Sequence, residues 1–103
     1  KLKGAEPSYW LTGATLTKDA KATFMDVIEA LAENNVESRP AWKPMHTQPV
    51  FKNCDFVSHL EKGSVSEDLF SRSICLPSDS KMTEEEVRYV AKIVNDTVLE
   101  KQE

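Results

Sequence analysis

Several features that would announce a function at once are missing from these 103 residues. No apolar run approaches the roughly 20 residues that a helix needs to cross a bilayer, so no membrane partner is expected. The start is basic at Lys1-Leu2-Lys3, but Gly4-Ala5-Glu6-Pro7 follow where a secretory signal would be apolar. Cysteine is scarce: Cys54 and Cys75 form no CxxC pair and no dense framework. Each reads as a small buried or half-buried thiol, since a disulfide would need an oxidising compartment that nothing else supports. Blocks of like charge are absent too. The net charge is −4, with Lys and Arg scattered along the chain, which argues against a nucleic-acid partner. Repeats and low-complexity segments are missing. A cytoplasmic location is the expectation, and an opening on Lys1 rather than Met reads as a piece cut from something longer.

What is present fits one small globular domain: 40% of residues are hydrophobic and 29% charged, enough for a core though not for a second domain. Pro7 opens a stretch rich in Tyr, Trp, Leu and Thr, which predicts a strand over 8–16 with Gly13 as a bulge or close-approach point. Thr17, Lys18 and Asp19 offer caps for a helix running to about Asn34. Its apolar stripe is Phe24, Val27, Ile28 and Leu31, at i, i+3, i+4 and i+7. Asn34-Asn35 supplies a stop, because Asn tolerates the left-handed conformation. Residues 36–39 read as a short strand returning beside the first.

Pro40, Pro44 and Pro49 forbid a long helix or central strand over 40–51, leaving a shaped loop with one helical turn near 45–48. A short helix is expected over 54–60. Ser64-x-x-Glu67 then makes a capping box for a helix to about Arg72, and Ile74-Cys75-Leu76 a brief strand stopped by Pro77. Thr83-x-x-Glu86 caps a last helix, with Val87, Val90, Ala91, Val94 and Val98 as its buried face. Residues 101–103 read as a frayed end. The order implies an α+β fold, with helices packed on one side of a small, mostly antiparallel sheet.

The segment that carries chemistry is Glu37-Ser38-Arg39-Pro40-Ala41-Trp42-Lys43-Pro44-Met45-His46-Thr47-Gln48-Pro49-Val50-Phe51. Proline lowers the entropy lost on ordering a loop, so these groups can be held ready for an anionic ligand. Arg39 offers a planar fork for carboxylate or phosphate, Lys43 a point charge, and Trp42 a flat face for a base or sugar ring. The same residues also fit a plainer role, with Trp42 and Phe51 packing the loop and both cations solvated. Cys54, His59, Cys75 and His46 match no zinc spacing, and neither cysteine is marked as an activated nucleophile.

That long run is similar to a signature of the DegT/StrS family of nucleotide-sugar aminotransferases. Leu69-Phe70, Cys75-Leu76-Pro77-Ser78, Thr83 and the opening Tyr9-Trp10-Leu11-Thr12 match the same family's C-terminal domain. Asp79 departs from it, where many relatives carry Gly, which bears on the local turn. The resemblance covers nearly all of residues 1–103 and implies the small C-terminal domain of a fold-type-I pyridoxal phosphate enzyme. Such enzymes take an amino group from glutamate and pass it to a keto nucleotide sugar. By the same resemblance the Schiff-base lysine and the cofactor-holding residues belong to a large N-terminal domain. No catalytic residue is then expected in this chain, which alone should bind no cofactor and be inactive. Arg39, Lys43 and His46 become the expected polar contacts to sugar, diphosphate or donor carboxylate, with Trp42 and Gln48 as wall. The partners implied are that large domain, the nucleotide sugar, glutamate and, at full length, a second copy in a homodimer. The Ser-Arg-Pro-x-Trp-Lys-Pro-Met-His form most resembles relatives that aminate C4 of UDP-linked 4-keto-6-deoxy N-acetyl sugars for bacterial surface or pilin glycans. A stand-alone binding module, or a domain that mainly builds a dimer interface, are the alternatives.

Overall fold

In the computed structural model, which describes residues 2–102, all three α-helices start on a hydroxyl cap. For α1 (Phe24–Glu33), Thr23 Oγ1 accepts the Asp26 N–H at 3.2 Å while the Asp26 carboxylate accepts the Thr23 N–H at 2.7 Å. Helix α2 (Val65–Arg72) starts on Ser64, whose Oγ accepts the Glu67 N–H at 3.2 Å; the expected box is only half made, because the Glu67 carboxylate takes the Ser64 hydroxyl and not its backbone N–H. Helix α3 (Glu84–Glu100) repeats the reciprocal box with Thr83 and Glu86. Each box satisfies orphan donors of a helix start and sets an acidic side chain against the positive end of its dipole.

The end of α1 is as definite as its start. Asn35 takes φ 58°, so that its N–H reaches Ala32 O at 3.0 Å and the Val36 N–H reaches Leu31 O at 2.9 Å. Those paired bonds make a Schellman turn, and Val36 packs back on the core as that turn requires.

Three short strands form one sheet in the order β1-β3-β2, both pairings antiparallel. They are β1 (Thr12–Thr15), β2 (Arg39–Pro40) and β3 (Ser73–Leu76). The register sets Ala14 opposite Ile74 and Thr12 opposite Leu76. Alternation then turns Ile74 and Leu76 toward α1 and α3, where Val27, Leu31, Ile74 and Val90 make the core. Each fully buried side chain of this size contributes about 1.5–3 kcal/mol. The opposite face carries Gly13, Thr15, Ser73 and Cys75; together with Ala41, Trp42, Leu69 and Phe70 they line a hollow of about 350 Å³. Arg72 locks α2 to the residue that follows β1, donating to Leu16 O at 2.6 Å and gripping the Asp68 carboxylate with Nε and Nη2. That pairing holds the Asp68 carboxyl below its ordinary range and raises the guanidinium further.

The α+β architecture is as expected, and several local expectations need correction. The first strand is only Thr12–Thr15; Tyr9 sits at φ 51°, which no strand continues through. Gly13 pairs in regular register with Cys75 and forms no bulge. The first helix starts at Phe24, because Thr23 and Asp26 close a box that Thr17 and Asp19 cannot. β2 lies beside β3, not beside the first strand. Residues 54–60 are irregular, and Cys54 is exposed rather than half-buried. Val87 and Ala91 face outward, since α3 turns Val90, Ile93, Val94 and Val98 to the core. Asp79 makes its turn without a positive φ, its Oδ1 accepting the Lys81 N–H at 2.8 Å. The C-terminal end is tied down: Lys101 pairs with Asp26 at 3.1 Å and Lys21 Nζ donates to Gln102 O at 2.6 Å. Expectations placed on Lys1 and Glu103 lie outside the described residues.

Candidate substrate-facing loop

The proline-bordered stretch leaves the sheet at Ala41, whose N–H bonds to Ser73 O at 3.3 Å. It then folds into two single 3-10 turns, Met45–Thr47 and Pro49–Phe51. Proline suits both starts: Pro44 caps the first turn, and Pro49, lacking an N–H, opens the second. Backbone bonds Thr47 to Pro44 O (3.1 Å), Gln48 to Met45 O (3.1 Å) and Phe51 to Gln48 O (3.0 Å) close the turns. Thr47 Oγ1 also donates to Pro44 O at 2.8 Å, and Pro44 itself is buried. The loop is therefore stiff by its own bonding.

The structure divides the five expected site residues into two groups. Arg39, Trp42 and Lys43 point outward. Arg39 is 75% exposed at its side chain, with Nε 3.0 Å and Nη2 2.5 Å from Glu37 Oε1. Trp42 is 67% exposed and its ring centroid stands 6.2 Å from that of Trp10, tilted by 48°. Lys43 is exposed. Gln48 turns back on the loop instead, donating to Lys43 O at 3.2 Å.

His46 also turns in. Its ring stacks on Phe56 with centroids 3.6 Å apart, and only 18% of the side chain is exposed. Nε2 is buried and lies 3.2 Å from Glu67 Oε2, a close contact without the alignment of a hydrogen bond. That contact first, and the Ser64 hydroxyl second, hold the Glu67 carboxyl below its ordinary range. His46 is thus anchored where the sequence suggested a ring reaching freely toward a ligand. Phe56 and Glu67 were not foreseen as its neighbours, nor Trp10 as the neighbour of Trp42. The only sequence signal for Glu67 was its place in a capping box.

Apolar side chains surround the loop. Met45 and Val50 are 61% and 76% exposed, whereas Phe51 is partly covered. A larger groove of about 680 Å³ runs from Tyr9 and Trp10 to the start of α3, with Met82, Val87 and Val90 in its wall. Its one charged lining residue is Asp79, so the groups with chemistry to offer belong to the loop. Among the described residues, no three His, Cys, Asp or Glu side chains gather as a metal would need. No described helix is long and apolar enough to cross a membrane.

A fold and a loop of this kind define a class. The small antiparallel sheet with its three helices matches Spr1654 of Streptococcus pneumoniae, named a sugar aminotransferase, in its PMP form. The TM-score is 0.68 at 20% identity, over 88% of this chain and 22% of that one. The apo form of the same protein superposes with TM-score 0.68 at 19% identity, over 89% of this chain and 23% of that one. The chain belongs to the DegT/DnrJ/EryC1/StrS aminotransferase family, whose model matches residues 2–95. EpsN of Bacillus subtilis (strain 168), named as a pyridoxal phosphate-dependent aminotransferase, is 53% identical over 85 residues, 82% of this chain and 21% of its own length. GDP-perosamine synthase of Escherichia coli O157:H7 is 30% identical over 89 residues, 86% of this chain and 22% of that protein. The chain thus spans about a fifth of the length of the curated relatives it matches.

Proposed function

We propose that residues 1–103 are the C-terminal domain of a pyridoxal phosphate-dependent aminotransferase and form one wall of its substrate cleft. The reaction moves an amino group from glutamate to a keto nucleotide sugar, most simply a UDP-linked 4-keto-6-deoxy N-acetyl sugar destined for bacterial surface or pilin glycans. The observation that carries this is the stiff loop, where Arg39, Trp42 and Lys43 stand outward on a backbone closed by two 3-10 turns. Arg39 and Lys43 supply positive charge for diphosphate or donor carboxylate, and Trp42 a flat apolar face for base or sugar. His46 and Gln48 complete the wall from its inner side. A loop ordered in advance spends little entropy when the ligand arrives.

The cofactor, when bound in the full enzyme, supplies the electron sink for the transfer. The residues of this chain do not fit that group by themselves. A Schiff-base lysine is activated by desolvation or by a neighbouring cation, whereas every described lysine here is exposed. This chain's own part is to bind and orient the sugar, and in isolation it is inactive. The large cofactor domain, a second copy in a homodimer and a cytoplasmic location complete the reading. The share of the relatives' length that the chain spans supports a missing larger part.

The test uses the full-length enzyme with glutamate and a panel of UDP- and GDP-linked 4-keto sugars, followed by mass spectrometry of the amino sugar. Amination of a UDP-linked member by the whole enzyme, and none by the 103-residue chain, is the expected result. Preference for a GDP-linked sugar would overturn the choice of base, a real contest given the GDP-perosamine synthase relative. Turnover by the chain alone would overturn the division of labour.

A further inference from the structure

One contact joins the loop to a helix whose residues have so far had only a structural part. Glu67, the third residue of α2, accepts the Ser64 hydroxyl at 2.9 Å and meets His46 Nε2 at 3.2 Å with the same oxygen, Oε2. One carboxylate therefore ties the start of a helix to the ring at the centre of the loop. Phe56 clamps that ring from its face, at an interplanar angle of 12°. Two further carboxylates line the hollows on either side of the ring. Glu61 lines the hollow on the Glu67 side, and Asp55, with the Cys54 thiol, lines the hollow that reaches Met45 and Phe51. No Lys or Arg lines either hollow. Among the described residues nothing hydrogen-bonds His46 Nδ1.

A carboxylate only accepts, so the ring nitrogen that faces it carries a hydrogen. When the ring carries a single proton, its lone pair is then on the other nitrogen, where a hydroxyl can donate to it. We propose that Glu67 is a positioning residue, which holds the His46 ring in one orientation with its hydrogen on Nε2 and Nδ1 left as the acceptor for a sugar hydroxyl. This rests on the reading that the loop faces the keto sugar. Without the carboxylate charge, ring flips and tautomer exchange would scatter that acceptor, and the cost would fall on sugar binding alone.

Glu67→Gln is the clean perturbation, because α2 starts on the Ser64 Oγ that accepts the backbone N–H of residue 67, a bond the change leaves in place. The first arm is proton and nitrogen NMR of the chain at neutral pH. A protected His46 Nε2–H resonance in the unchanged protein, lost in E67Q while the circular dichroism stays the same, is expected. Absence of that resonance, or its survival in E67Q, overturns the proposal. The second arm is single-turnover kinetics on the full-length enzyme. E67Q should lose about tenfold in kcat/KM for the keto-sugar half-reaction, the loss expected for one hydrogen bond. The glutamate half-reaction should hardly change, and the H46A/E67Q double variant should lose no more than H46A alone. Additive losses, or equal losses in both half-reactions, would make Glu67 a merely structural residue. If the full-length enzyme aminates no nucleotide sugar, the proposed function falls, while the NMR arm still decides what Glu67 does to His46.

Discussion

Leu31→Ala puts the whole core to the test. Leu31 is completely buried, packs among Val27, Ile74 and Val90, and sits one turn before the Asn35 reversal. Its carbonyl receives the Val36 N–H at 2.9 Å, so a collapse here would also disturb the path from α1 into β2. Truncating a buried Leu costs about 2–5 kcal/mol, transfer and cavity terms together. A chain of this size is stable by about 5–15 kcal/mol, so the loss is a large share of the total. At about 4–8 °C per kcal/mol, a loss of about 3 kcal/mol lowers Tm by roughly 10–25 °C. Far-UV circular dichroism with urea is the assay to use. Trp10 and Trp42, at 71% and 67% exposed, would report little of core unfolding by fluorescence. The control is Val87→Ala, a residue 51% exposed, which should stay within about 0.5 kcal/mol. A Leu31→Ala loss below about 1 kcal/mol, or a Val87→Ala loss as large, would refute the placement of α1 and α3 against the sheet.

Three further outcomes are expected. Asp26 is held down to about 2, chiefly by the Thr23 backbone N–H, then by the Thr23 hydroxyl and Lys101. Its folded pKa lies below the ordinary 3.8, so the stability it contributes is present above that value and fades as pH falls toward about 2. Acid unfolding followed by circular dichroism should therefore show Asp26→Asn flattening the profile in that window. Asn35, at φ 58°, should lose about 1 kcal/mol on change to Ala and nearly nothing on change to Gly, measured by urea unfolding. Trp42→Ala should leave Tm almost untouched, since the side chain is 67% exposed, yet raise KM for the nucleotide sugar in the full-length enzyme about tenfold. A fall in Tm with unchanged KM would make Trp42 a packing residue.

Local chemistry in the sequence determined a great deal. The Ser64 cap, the Thr83 box, the Asn34-Asn35 stop and the proline spacing each act within a few residues, so they specify helix starts, a reversal and a loop without distant help. The run around His46 was specific enough to point to the family by itself. Where two local signals competed, the nearer and better paired one won, as with Thr23 and Asp26 over Thr17 and Asp19. What remained undecided was every feature that joins residues far apart in the chain. Nothing in residues 36–40 told that β3 would come between β1 and β2, because strand order is decided by pairings between segments more than 30 residues apart. Nothing in the loop told that His46 would lie under Phe56 against Glu67, or that Trp42 would stand beside Trp10. The Glu67 contact exists because α2 passes beside the loop, and the others likewise join residues far apart or on irregular chain, where a spacing rule cannot see.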